Sequence, residues 1–159
     1  MNDSFILRDR KWREQNERVT LSSYATFSGD SKGRSKEEPE DTFRTCFERD
    51  RDRIIHSKTF RRLKHKTQVF INPDGDHFIT RMTHTLNVTQ IGRSIAKTLG
   101  FNTDLTEAIC LGHDVGHSPF GHTGEEVLNK ILDGGWTHSE NSVRMLSVIE
   151  PLNLTKETI

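Results

Sequence analysis

The chain has 159 residues, and its 23 Lys and Arg are balanced by 23 Asp and Glu, so no overall charge steers it toward nucleic acid or a membrane surface. Hydrophobic residues make up 31%, roughly 38% with the 11 glycines, below the ~45–50% of a complete globular domain, which predicts a thin core or one that needs a partner segment. The longest apolar run, Ala108 to Leu111, is far too short for a membrane-spanning helix.

In chain order, residues 5–18 are charged, with Phe5, Ile6, Leu7 and Trp12 as anchors. Residues 20–42 are rich in Ser, Thr, Gly, Lys and Glu and read as a loop or disordered arm. We therefore take residues 1–42 as a partly flexible arm and 43–159 as the domain. Residues 49–64 place Ile54, Ile55, Phe60 and Leu63 among charges, the pattern of a polar helix with a narrow apolar face. From Arg44 to Lys66, nine Lys and Arg face three acidic residues, either a solvated helix face or a cradle for an anion. Asn72-Pro73-Asp74-Gly75-Asp76 predicts a short hairpin or loop near residues 69–79.

A second helix is expected from Thr80 to Leu99, its face formed by Met82, Leu86, Ile91, Ile95 and Leu99, with Gly100 as the C-terminal cap. A third should open near Asp104 with Glu107 as capping-box partner, and a fourth at Thr123 with Glu126 in that role. Gly134-Gly135 ends the fourth, and a last helix covers Ser139 to Ile149, stopped by Pro151. The sum is an all-α domain with one small hairpin or loop. Cys46 and Cys110 form no C-x-x-C pair and no signal-peptide pattern is visible, so a reducing cytoplasm is the expected setting.

Five of the eight histidines fall between His84 and His138. The stretch from His113 to Glu125 holds three His, one Asp and one Glu within thirteen residues. A lone histidine on a helix is usually structural, but this density points to a metal or catalytic site. Helical spacing would turn His113 and His117 the same way. Mixed nitrogen and oxygen donors suit Zn, Mn, Fe, Co or, with waters, Mg.

These residues carry a family resemblance. Residues 53–70 resemble the opening block of deoxyguanosine triphosphate triphosphohydrolase-like proteins. Arg81-Met82-Thr83-His84-Thr85 resembles the block with the first histidine of the HD superfamily, and His113-Asp114-Val115-Gly116-His117 the block that names it. The stretch from Trp136 to Arg144 is similar to a later block of the same subgroup. The resemblance implies an HD-domain helical bundle, incomplete here, and metal-dependent hydrolysis of deoxynucleoside triphosphates to deoxynucleoside and inorganic triphosphate. Carried over by position, it implies His84, His113 and Asp114 as ligands of a divalent metal ion. His122 becomes the catalytic histidine, paired with Glu125. His117 reaches the substrate phosphates, Arg81 contacts a phosphate or the sugar, Gln68 senses the 3′-hydroxyl, and Val69 packs near the sugar.

The family also has a further metal-binding Asp downstream. Asp133 lies too early to match it, so the chain resembles the N-terminal portion of a family member, with low or no expected activity alone and weakened metal affinity. Single-stranded nucleic acid and assembly into a homo-oligomer at full length are further expectations from the resemblance. The competing readings are an HD phosphohydrolase acting on another nucleotide phosphoester, and a non-catalytic nucleic-acid-binding module built on the 44–66 segment.

Overall fold

The computed structural model describes residues 7–66 and 79–159. Gln68, Val69 and all but the last residue of the hairpin or loop expected near 69–79 lie outside them. The described residues form α1 (Arg10–Thr20), α2 (Cys46–His56), α3 (Lys58–Arg61), α4 (Arg81–Leu99), α5 (Thr103–Gly112), α6 (Gly121–Ile131) and α7 (His138–Arg144). Short 3-10 turns follow at Ser28–Asp30 and Arg62–His65, and α7 continues as a π-helical turn over Met145–Ile149. No β-strand occurs among the described residues, so the all-α expectation holds. No helix among them is long and apolar enough to cross a membrane.

The core is small. Ile54, Phe60, Leu63, Ala108, Leu111, Val115, Leu146 and Leu154 make one buried cluster, with α5 packed against both α2 and α4. Several element boundaries differ from expectation, most of them set by local capping and turn geometry. The helix expected over 49–64 breaks at Ser57, whose hydroxyl accepts the Phe60 amide and restarts the chain as α3. Its start is set earlier, by a capping box in which Thr45 and Glu48 bind each other's backbone amides. α5 is capped by Asn102, which accepts the Asp104 and Leu105 amides, while Glu107 pairs with Arg93 instead of closing a box. α6 opens at Gly121 without a side-chain cap, because Phe120 and Gly121 both take the left-handed conformation and turn the chain sharply after Pro119. Gly100 caps α4 at φ 70°, as its position predicted.

α4 turns an unexpected face inward. Thr85, Thr89 and Ala96 are buried, and a Cβ on Gly92 would lie 2.8 Å from Cys110 Sγ, so small residues bring α4 close against α5. Leu86, Ile91, Ile95 and Leu99, expected to be the core face, are each more than half exposed. Of these, Ile91, Ile95 and Leu99 share a helical stripe with Val88 and His84.

The first four arginines of the basic segment are paired within the molecule, while Lys58, Arg61, Arg62 and Lys64 are exposed. Arg44 pairs with Asp41 and Asp52, Arg49 and Arg53 with Glu38, and Arg51 with Asp104. Arg53 also donates to the carbonyls of Leu152 and Asn153. These four arginines act as ties within the fold, joining the segment around Glu38 and Asp41, the carbonyls of Leu152 and Asn153 and the start of α5 to α2. The fully buried Asp50 does the same from the other side, accepting from Arg34, from the Thr155 amide and hydroxyl, and from the Thr158 hydroxyl.

Candidate metal and acid–base centre

The site forms where α5 unwinds. The helix ends at Gly112, and His113 to Gly116 make a turn held by hydrogen bonds from the Val115 amide to the Gly112 carbonyl and from the His117 amide to that of Asp114. This corrects the expectation that His113 and His117 face the same way: the turn sends them into different clusters. Lys66 stabilises the turn by donating to the carbonyls of Val115 at 3.2 Å and His117 at 2.7 Å. Burial, and then repulsion from Arg62 and Arg81, lower its pKa.

His84, His113 and Asp114 meet as the resemblance implied, each with one ligand-type atom within 4.8 Å of the others. His84 comes from the first turn of α4 and faces His113, with ring centroids 5.9 Å apart. His113 Nδ1 lies 2.7 Å from the Cys110 carbonyl oxygen, which fixes the tautomer with a proton on Nδ1 and a free lone pair on Nε2. Asp114 is almost fully buried and receives Arg81 Nη1 on Oδ2 at 2.8 Å, leaving Oδ1 turned to His113 Nε2 at 3.6 Å. Burial alone would raise the Asp114 pKa, but the Arg81 hydrogen bond and the charges of His113 and Arg81 outweigh it and keep the carboxylate ionised. Two imidazoles, one with its tautomer set by the Cys110 carbonyl, and one ionised carboxylate oxygen suit a divalent ion. Arg81, expected to touch the substrate, is itself 2% exposed and bound to a ligand of the trio.

A second cluster adjoins the first. His122 Nδ1 lies 3.2 Å from Glu125 Oε2, so the pair expected from the resemblance is brought together. Glu125 also takes the backbone amide of His138 at 2.9 Å and its Nδ1 at 2.9 Å. No role was expected for His138; the only signal was its place in the Trp136–Arg144 block, directly after the N-cap Thr137. Burial would raise the Glu125 pKa, but the hydrogen bonds from His138 and His122 bring it down to about 2. His117, 2% exposed, stacks on His138 with centroids 4.6 Å apart and meets His122 edge-on at 5.0 Å. α7 is locked to the turn: Asn141 Nδ2 donates to the Gly116 carbonyl at 2.7 Å, and the Gly116 amide donates to Ser142 Oγ at 2.9 Å.

Burial, reinforced by the positive charge of Arg81, depresses the His117 pKa to about 4. The sign of the consequence follows from proton counts. Between about 6.5 and 4 the unfolded chain takes up a proton that the folded chain refuses, so stability should fall as pH falls through that window, by about 3 kcal/mol. Below it the loss levels off. Urea unfolding of the metal-free chain at stepped pH should show this slope, and His117→Gln should remove it. The lowered Glu125 pKa acts at lower pH, where protonation of the unfolded carboxylate begins, so the two contributions separate.

Comparison with known proteins agrees with this geometry. Residues 81–158 match the HD domain, a span that opens at Arg81 and contains both clusters. The chain is 61% identical over 152 residues to a deoxyguanosinetriphosphate triphosphohydrolase-like protein of Caldanaerobacter subterraneus, covering 93% of this chain and 45% of that protein. Proteins with the same description from Clostridium tetani and Clostridium perfringens are 56% and 55% identical over 154 and 150 residues, covering 94% and 92% of this chain and 44% of each relative. The chain thus spans less than half the length of the relatives it matches.

Proposed function

From the chain's membership of the HD-domain superfamily, among deoxyguanosinetriphosphate triphosphohydrolase-like proteins, we propose that it supplies the catalytic face of a metal-dependent deoxynucleoside triphosphate triphosphohydrolase. The observation that carries this reading is the adjacency of two differently built clusters, an ion-holding His84–His113–Asp114 trio and a carboxylate-held pair, His122 and His138 on Glu125. Phosphoester hydrolysis needs both capacities, charge stabilisation at phosphorus and a proton relay at the departing oxygen.

A divalent ion held by the trio would polarise a phosphate oxygen and lower the pKa of a bound water. The chain's own residues do the rest. Arg81 holds the Asp114 carboxylate in place and ionised. Glu125, with its low pKa, stays ionised and orients His122, whose largely exposed ring can hand a proton to the 5′-oxygen as its bond to the α-phosphorus breaks. Water ends on the α-phosphorus, and the products are a deoxynucleoside and inorganic triphosphate. His117 lines the same space as a neutral ring at physiological pH, able to donate one hydrogen bond to a phosphate oxygen. Gln68 and Val69 would act at the sugar. The cytoplasm, assembly with other subunits at full length, and a fourth oxygen ligand from beyond this span complete the reading.

The test is release of inorganic triphosphate from each deoxynucleoside triphosphate with Mg or Mn, run on the 159-residue chain, on its His113→Ala variant, and on a version extended to the length of the relatives. We expect little or no release from the short chain, clear release from the extended one, and none from either once His113 is lost. An extended protein that binds metal but releases no triphosphate would overturn the proposal. Steeply salt-dependent binding of single strands without metal would then favour a nucleic-acid module.

A further inference from the structure

The trio around His84 is not the only set of ligand-type side chains among the described residues. One atom from each of His117, His122, Glu125 and His138 also lies within 4.8 Å of the other three. The four come from three places, just after the turn that follows α5, the N-terminal half of α6 and the first residue of α7, so the fold itself gathers them. His117 adds a second observation: it is 2% exposed, and neither ring nitrogen has a hydrogen-bond partner among the described residues. A buried imidazole with both nitrogens idle is rare, because buried polar atoms are normally paired, and a missing ion is one of the recognised causes.

We propose that His117, His122, Glu125 and His138 form a second metal site, distinct from the His84–His113–Asp114 trio, and that it takes zinc. Three imidazoles and one carboxylate make a nitrogen-rich, four-donor set of the kind zinc accepts in tetrahedral geometry. Zinc–nitrogen bonds of about 2.0–2.1 Å put tetrahedral donors about 3.4 Å apart. His122 Nδ1, His138 Nδ1 and Glu125 Oε2 are already joined at 3.2 and 2.9 Å, so the ion would replace the protons that now hold the rings to the carboxylate. The His122 side chain is 75% exposed and can swing the remaining distance without disturbing the core.

Asp114 does not bridge the two sites, because Arg81 occupies its Oδ2 and its other oxygen faces His113. The two ions therefore bind as separate events. The binding rests on geometry alone. Its consequence rests on the proposed function: with zinc in place, His122 and Glu125 cannot relay a proton, so the site would be inhibitory.

The experiment counts zinc per chain. The purified 159-residue chain is stripped with chelator, equilibrated with excess Zn²⁺, freed of unbound ion by gel filtration and assayed for zinc, beside His113→Ala, His138→Ala, His122→Ala and the double variant H113A/H138A. We expect two zinc per wild-type chain, one in His113→Ala, one in His138→Ala and none in the double variant. His122→Ala removes an exposed ring and should keep the full helical circular dichroism while losing tight binding of one ion, at least tenfold by competition with a chromophoric chelator. Zinc retained by His113→Ala but released by both His122→Ala and His138→Ala supports the second site. A chain whose zinc content is unchanged by His122→Ala and His138→Ala, or which holds none, overturns it. Because the readout is ion content, a failure here is distinguishable from a failure to release triphosphate.

Discussion

Asp114→Ala is expected to destabilise the metal-free chain by about 1.5–3 kcal/mol, before any effect on an ion is counted. The reason lies in where its partner sits. Arg81 is 2% exposed at the first position of α4, and its Nη1 donates to Asp114 Oδ2 at 2.8 Å. Deleting the carboxylate removes a charge-assisted hydrogen bond to a buried guanidinium, the stronger class of side-chain hydrogen bond. In a domain whose core is one small apolar cluster, the change removes a sizeable part of the ~5–15 kcal/mol that typically separates folded from unfolded. Urea unfolding in the presence of chelator measures it.

Two companions separate charge from packing. Arg81→Met with Asp114→Ala should cost less than the sum of the single changes, because both remove the same interaction. Asp114→Asn keeps an oxygen for Arg81 and should lose less stability than Ala while still weakening metal binding, since it removes the ionised ligand. Equal losses for Asn and Ala would mean that the carboxylate's charge, not its hydrogen-bonding shape, holds the turn.

The same residues show what was legible in the sequence. The grouping of His84, His113 and Asp114 was, because each sits in a short block that carries the family resemblance, and the fold had only to bring α4 beside the end of α5. The length and end of α4 were legible too, since Gly100 takes a left-handed conformation that few other residues tolerate. The face it buries was not. Apolar periodicity marks a stripe that prefers burial, but it does not say against what. Here Thr85, Thr89, Gly92 and Ala96 permit a closer approach to α5 than Ile91 and Ile95 would. Charge was legible only in part for a similar reason: the net excess over 44–66 is a property of that segment alone, whereas Glu38, Asp41 and Asp104, which pair with its first four arginines, lie elsewhere in the chain. The grouping of His138 with Glu125 spans thirteen residues and depends on how α7 docks, which no local pattern encodes.

That docking depends on one missing side chain, and Gly116→Ala is expected to cost about 3 kcal/mol or more. A Cβ on Gly116 would lie 2.2 Å from the Ser142 nitrogen, 2.4 Å from the Asn141 carbonyl carbon and 2.6 Å from Ser142 Cα. All three are backbone atoms of α7, so no rotamer change relieves the clash and the helix itself must move. Movement breaks the bonds from the Gly116 amide to Ser142 Oγ and from Asn141 Nδ2 to the Gly116 carbonyl, both in a partly or fully buried place. It also carries His138 away from Glu125 and from its stack on His117, so the loss should reach the site as well as the fold. Gly134→Ala is the control: at φ 91°, with nothing within 4 Å of the added carbon, it carries only the conformational penalty of about 1–2 kcal/mol. If Gly116→Ala proves no worse than Gly134→Ala in urea, α7 does not rest on the His113–Gly116 turn at this distance. If it is worse and the zinc released by His138→Ala is released here too, the close approach at Gly116 is what keeps the second cluster together.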